Sequence, residues 1–193
     1  MVKKKISDPF KATLTDLLVW FRKSPVQGLI IGGVAVSLLS RPRFTEDIDA
    51  MILLDGSKWA SFLESGAQFG FVSRIPDPLH FARRTRMLLL KHIESKVEVD
   101  ISLGGLPFEE ESMRRKQKVK MAGITIPLPT PEDLVIMKAV AHRKQDLADV
   151  VSIIESNSRL SLSRIRKWVK EFARVLEMPE IYTDLDKLLK KKS

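Results

Sequence analysis

The sequence has no cysteine, only three histidines and one tyrosine, and no apolar run long enough to cross a bilayer. Without cysteine, disulfides, thiolate nucleophiles and cysteine-ligated metals are excluded. His80, His92 and His142 are scattered and show no close metal-ligand spacing, which argues against a zinc site. The longest nearly apolar run, 28–39, carries Gly32 and Gly33 and falls well short of the roughly 20 residues a spanning helix needs. The lysine-rich start leads into Ser7-Asp8-Pro9 rather than an apolar signal core. A soluble, cytoplasmic protein with no membrane partner is therefore expected. Aromatic residues make up 7% and form no aromatic-rich strand pattern, which disfavours a dedicated reader of single-stranded nucleic acid.

What is present is a packable interior and an excess of positive charge. Hydrophobic residues reach 44% of 193, enough for one substantial domain or a core domain with a small appendage. The formal net charge of +9 makes polyanions the natural partners: nucleic acid, nucleotides or an acidic protein. The same charge also serves plain solubility, so it narrows the partner without choosing one.

Along the chain, Ser7 and Pro9 read as the cap and early proline of a helix whose apolar positions are Phe10, Leu14, Leu17, Leu18 and Phe21. Leu29–Ile31 reads as a buried strand ending at Gly32-Gly33, followed by a helix to about Leu39. Asp47–Leu54 reads as a second strand and Trp59–Phe69 as a helix. Met87–Ile93 and Val97–Leu103 suggest a hairpin, Phe108–Lys116 a helix, and Val119–Leu128 a strand pair broken at Gly123. Thr130-Pro131-Glu132-Asp133 then opens a wholly helical remainder. The fold class expected is α+β, with a mixed sheet flanked by helices over 1–128 and a C-terminal helical subdomain over 129–193.

The chemistry concentrates in acids at strand positions. Strand side chains alternate, so Asp47 and Asp49 share one face while Ile48, Ala50 and Ile52 share the other. In Val97–Leu103 the same alternation sets Glu98, Asp100 and Ser102 opposite the valines, Ile101 and Leu103. If the two strands are neighbours, three or four carboxylates converge. Such a cluster repels itself unless a hard divalent cation is bound, and Mg²⁺ suits oxygen ligands. Gly32-Gly33, between strand and helix, offers bare backbone N–H groups and a positive helix end to phosphate. A phosphate cradle beside a carboxylate-bound metal implies a nucleoside triphosphate.

These residues resemble a known group. Apolar-Gly32-Gly33, a thirteen-residue gap, Asp47-x-Asp49 and a distant strand with a third acid resemble the polymerase-β-like nucleotidyltransferase superfamily. Gly32-Gly33-x-Ala35, Arg43-x-Thr45-x-Asp47-Ile48-Asp49, Pro131-Glu132-Asp133-Leu134 with Lys138, and Arg143-Lys144-x-Asp146-Leu147-x-Asp149-Val150 look closest to its AbiEii/AbiGii-type members. The resemblance implies a nucleotidyltransferase fold and two Mg²⁺ ions, with Mn²⁺ as an alternative, held by Asp47, Asp49 and Asp100. Asp100 is taken as the third acid on that resemblance, with Glu98 its competitor on the same face. It further implies that Arg43 or Thr45 steadies phosphate or the Asp strand, that Lys138 meets triphosphate, and that Asp149 holds Lys138 or the base.

By the same resemblance the protein moves a nucleoside monophosphate to an acceptor hydroxyl, with the 3′ end of RNA or tRNA first in line, and is one half of a toxin–antitoxin pair with a cognate antitoxin. A protein or antibiotic hydroxyl is the alternative acceptor, and a catalytically silent binding module the alternative class. The face formed by Arg164, Arg166, Lys167, Lys170 and Arg174, and the cluster Arg83, Arg84 and Arg86, are candidate nucleic-acid surfaces or plain solvated faces.

Overall fold

Strands form in this chain where β-branched and aliphatic residues alternate with polar ones, and helices where capping residues and prolines open a 3.6-residue period. A computed structural model of the protein describes residues 8–190. Ser7, expected as a helix cap, and the terminal Lys191-Lys192 lie outside those residues. The chain divides into two compact units, the first comprising residues up to Val34 and Phe44–Leu128, the second Ala35–Arg43 and residues from Pro129 on.

In the first unit, helix α1 (Asp8–Lys23) precedes strand β1 (Gln27–Ile30), and β2 (Asp47–Leu53) follows after the start of helix α2 (Gly32–Leu39). Helix α3 (Trp59–Gly66), strand β3 (Phe71–Ser73), helix α4 (Pro78–Thr85), strands β4 (Met87–His92) and β5 (Glu98–Gly104) and helix α5 (Pro107–Arg115) come next. The five strands form one mixed sheet in the order β1-β2-β5-β4-β3. The pair β2/β5 is parallel and the other pairings antiparallel. Strands β6 (Gln117–Met121) and β7 (Ile124–Leu128) form a separate hairpin around Gly123.

The core is the face built by Ile48, Ala50, Ile52, Val99, Ile101, Leu103, Leu88 and Leu90, all fully or nearly fully buried. Trp20 of α1 stacks on Phe62 (ring centroids 4.2 Å apart) and Phe71 (5.3 Å), tying α1 to α3 and β3. Offset aromatic packing of this kind adds about 0.5–1.5 kcal/mol per pair beyond the area buried. His92 is buried beside Asp16 of α1 (3.3 Å) and accepts or donates at Ser95 Oγ (2.9 Å), so it fastens the β4–β5 turn to α1 and is no metal ligand candidate.

The strand and helix pattern expected from the sequence is present, with two additions. β3 is only three residues long, too short for alternation to register, and α4 starts at Asp77-Pro78. The cap is real: the Asp77 carboxylate accepts from the His80 N–H at 3.1 Å, with proline in the first helical turn.

The second unit is helical: α6 (Pro131–Ala141), α7 (Lys144–Ser156), α8 (Leu162–Val175) and α9 (Pro179–Lys190). Thr130 caps α6 by accepting from the Asp133 N–H. Leu134, Val135, Ile136 and Ala139 are all fully buried, because α6 lies against α7, α8 and α9. Helix α8 instead buries one stripe, Ile165, Val169 and Ala173. Residues 35–43 belong to this unit through Asn157 Nδ2 donating to Leu39 O (3.0 Å) and Arg41 pairing with Glu155 (2.9 Å). Among the described residues no helix is long and apolar enough to cross a membrane.

Candidate active site

β2 and β5 run side by side with Asp47 opposite Glu98 and Asp49 opposite Asp100. Parallel pairing keeps residues of equal phase on the same face, so all four carboxylates emerge together while Ile48, Val99, Ala50 and Ile101 fill the core behind them. Thr45 donates its hydroxyl to Asp47 Oδ1 at 2.8 Å, fixing that carboxylate at the head of the strand. Thr45 itself lies two residues before the first residue of β2.

The first glycine is packed against the second acid. Ile31 N–H bonds to Asp49 O (2.9 Å), which carries the chain across β2 directly into α2. Gly32 takes φ +59°, and a Cβ placed on it would sit 1.8 Å from Asp49 Oδ2. Only glycine supplies both the left-handed turn and the space for that carboxylate. Gly32 and Gly33 both fall inside the first turn of α2, so their N–H groups belong to the set a helix leaves without intrahelical acceptors.

Asp100 is engaged by a residue the sequence reading missed. Arg74, in the segment after β3, forms ion pairs with both Glu98 and Asp100. Its backbone N–H bonds to Leu89 O (2.9 Å), and the Ser73 hydroxyl accepts from Ile75 N–H (3.1 Å) and donates to Ile75 O (2.7 Å). The turn that presents Arg74 is therefore pinned. No periodicity marks an isolated arginine, and only the strand order discloses what it faces.

Among the described residues no three Asp, Glu or His side chains stand ready-made as a metal site, and Arg74 lies on the expected third ligand. The donor set still suits a hard cation. Burial pushes the Asp100 carboxyl above its ordinary value; Arg74 opposes this, while the charges of Asp47 and Glu98 add to it. Asp47, Asp49 and Asp100 offer only carboxylate oxygens, the donors that Mg²⁺ and Mn²⁺ select.

The remaining expected residues gather in the helical unit. Lys138 is nearly buried, with its ammonium 2.8 Å from Asp146 Oδ1 and 3.0 Å from Asp149 Oδ2. Arg43 pairs with Asp149 at 3.3 Å, and Arg143 with Asp146 at 2.5 Å. Asp149 does hold Lys138, and Arg43 pairs with Asp149. Burial raises the Asp146 carboxyl, but hydrogen bonds from Arg143 and Lys138 outweigh it and bring the group below its usual value. Asp133, fully buried, is met by Arg164 at 2.8 Å.

Those contacts also correct the basic surfaces. Arg164 turns inward onto Asp133 and so leaves the face shared by Lys167, Lys170 and Arg174, while Arg166, paired with Asp186 (3.3 Å), keeps a partly exposed side chain. Arg86 donates to Leu103 O (2.9 and 2.6 Å) and pairs with Glu109, which makes it a strut of the sheet and leaves only Arg83 and Arg84 of that cluster exposed.

A mixed sheet with paired strand acids beside a glycine turn is the nucleotidyltransferase fold, and solved structures agree. The antigenic nucleotidyltransferase-like protein from Paracoccidioides brasiliensis superposes with a TM-score of 0.60 at 17% identity, covering 93% of each chain. The antibiotic-resistance factor ANT(2'')-Ia gives 0.59 at 13% identity, over 90% of this chain and 97% of its own. The lincosamide antibiotic adenylyltransferase LnuA, solved with lincomycin bound, gives 0.51 at 17% identity, over 80% and 100%. The model of the AbiEii nucleotidyl transferase toxin family, of type IV toxin–antitoxin systems, matches residues 29–191, and the chain belongs to that family. No curated protein matches the sequence.

Proposed function

We propose that this protein transfers a nucleoside monophosphate from a nucleoside triphosphate to an acceptor hydroxyl, using divalent cations held by Asp47, Asp49 and Asp100. The observation that carries the reading is the register of β2 and β5, with Asp49 opposite Asp100 and Gly32 packed onto Asp49. Bound there, two Mg²⁺ or Mn²⁺ ions would acidify the acceptor hydroxyl and offset charge on the triphosphate.

The chain's own part is positioning. Thr45 keeps Asp47 aimed, and Gly32 leaves Asp49 its room. The N–H groups of Gly32 and Gly33 are the candidates for receiving the β and γ phosphates. Asp100 is the candidate to take the acceptor's proton once Arg74 leaves its carboxylate free. In the helical unit, Lys138 is the candidate to meet triphosphate, which requires it to exchange Asp146 or Asp149 for a phosphate oxygen. Catalysis of this kind rests mainly on orientation and electrostatic stabilisation.

For the acceptor we favour RNA, and the tRNA 3′ end in particular, because a net charge of +9 suits a polyanion better than a small cationic or neutral antibiotic. Membership of a toxin family supports a cognate antitoxin as partner. The test is incubation of the purified protein with each α-labelled NTP and Mg²⁺, with tRNA, protein extract, an aminoglycoside or a lincosamide as acceptor. Label should enter tRNA; label in an antibiotic or a protein alone overturns the RNA reading, and label in none of them overturns the transferase reading.

A further inference from the structure

Arg74 spans Glu98 and Asp100, and its Nε is buried with no acceptor among the described residues. The arginine's backbone is fixed by Leu89 and by the Ser73–Ile75 turn, so only its side chain is free to change partner. The Arg74 side chain is 23% exposed and that of Asp100 26%, which leaves the pair partly shielded from solvent. A buried donor left without an acceptor carries a desolvation cost, and this arrangement of Arg74 leaves part of its hydrogen-bonding capacity unused.

We propose that Arg74 stands in the place of a cation on Asp100, so that the Arg74–Asp100 ion pair and divalent cation binding exclude one another. This rests on the reading of Asp47, Asp49 and Asp100 as metal ligands. Arg74 then acts as a positioning residue: it keeps β5's acids neutralised and in register while no metal is bound, and it raises the cation concentration at which the site fills. The guanidinium holds Asp100 Oδ1, and a divalent cation on the same carboxylate would bring two positive charges close together across one small group, a repulsion that partial shielding from solvent strengthens.

The experiment is Mn²⁺ binding without nucleotide, followed by electron paramagnetic resonance at pH 7.5, on the parent, Arg74→Met, Asp100→Asn and the double variant. Arg74→Met should bind Mn²⁺ about tenfold more tightly than the parent, and the gain should vanish in the Asp100→Asn background, as a double-mutant cycle reads out. Arg74→Lys, which keeps the charge but not the two-pronged fork, should return affinity partway to the parent. It also serves if the methionine variant fails to fold. Unchanged or weaker Mn²⁺ binding in Arg74→Met overturns the proposal. A gain that persists with Asp100→Asn overturns it too, because the effect would then be diffuse charge and not exclusion at Asp100. Absence of Mn²⁺ binding in the parent, in Arg74→Met and in Arg74→Lys alike overturns the metal reading itself, and this proposal with it.

Discussion

The protein contains two gatherings of aspartates that are neutralised in opposite ways. On β2 and β5, Asp47 is answered by a hydroxyl, while Asp100 shares a single arginine with Glu98. In the helical unit, Asp146 and Asp149 are each met by two cations, with Lys138 common to both, and Asp133 has Arg164. The carboxyls report the difference: Asp100 is pushed above its ordinary value and Asp146 is drawn below it. A buried acid given more cations than it needs is a fastening. An acid left short of them, on a strand face, is available to something that arrives later.

The sharpest break of that comparison is Asp49→Asn. If the strand acids serve chemistry, nucleotide transfer should fall at least about 10³-fold, equivalent to ~4 kcal/mol, with no drop in melting temperature. A variant that keeps near-parental activity, or that loses stability instead, erases the distinction.

Asp146→Asn is the converse test. Removing one partner of a buried pair leaves Lys138 and Arg143 short of an acceptor and should cost about 3 kcal/mol of unfolding free energy, measured by urea denaturation. Because the folded-state value of Asp146 lies below the unfolded one, its contribution is fully present above the ordinary carboxylate range, near about 4, and is lost as pH falls through the lowered value. The variant's deficit should therefore shrink in acid.

Gly32→Ala should act on both properties, more gently. The left-handed φ costs about 1–2 kcal/mol for a side-chain-bearing residue, and the added methyl displaces the Asp49 carboxylate. Thermal melting and transfer rate should fall together. The smallest effect is expected from Asp100→Asn on the metal-free protein. A raised carboxyl opposes folding at neutral pH; that opposition begins to lift as pH falls through the folded value and is gone below the ordinary carboxylate value, so the variant's melting temperature should stay level or rise slightly at pH 7 and show no gain in acid.

Much of this was legible in the sequence, for identifiable reasons. Ile48/Ala50/Ile52 and Val99/Ile101/Leu103 alternate cleanly because one face of β2 and of β5 is buried, and that alternation put Asp47, Asp49, Glu98 and Asp100 on the opposite face. Thr130-Pro131 announced α6 because cap and proline act through local geometry. The partners of Arg74 and Arg164 were beyond reach. Arg74 finds Asp100 only through the strand order, and Arg164 finds Asp133 only because α8 lies against α6. A basic residue on a helix looks the same in sequence whether water or a buried aspartate receives it.

The position of β5 also sets a timetable. It is the middle strand of the sheet, yet the last of the five to be synthesised, and it joins β2 to β4. A nascent chain that has emerged only through β4 carries Asp47 and Asp49 on an edge strand, with Asp100 still inside the ribosome. Insertion of one late strand joins the two half-sheets and completes the carboxylate patch in a single event, so a chain that stops short of β5 lacks the patch.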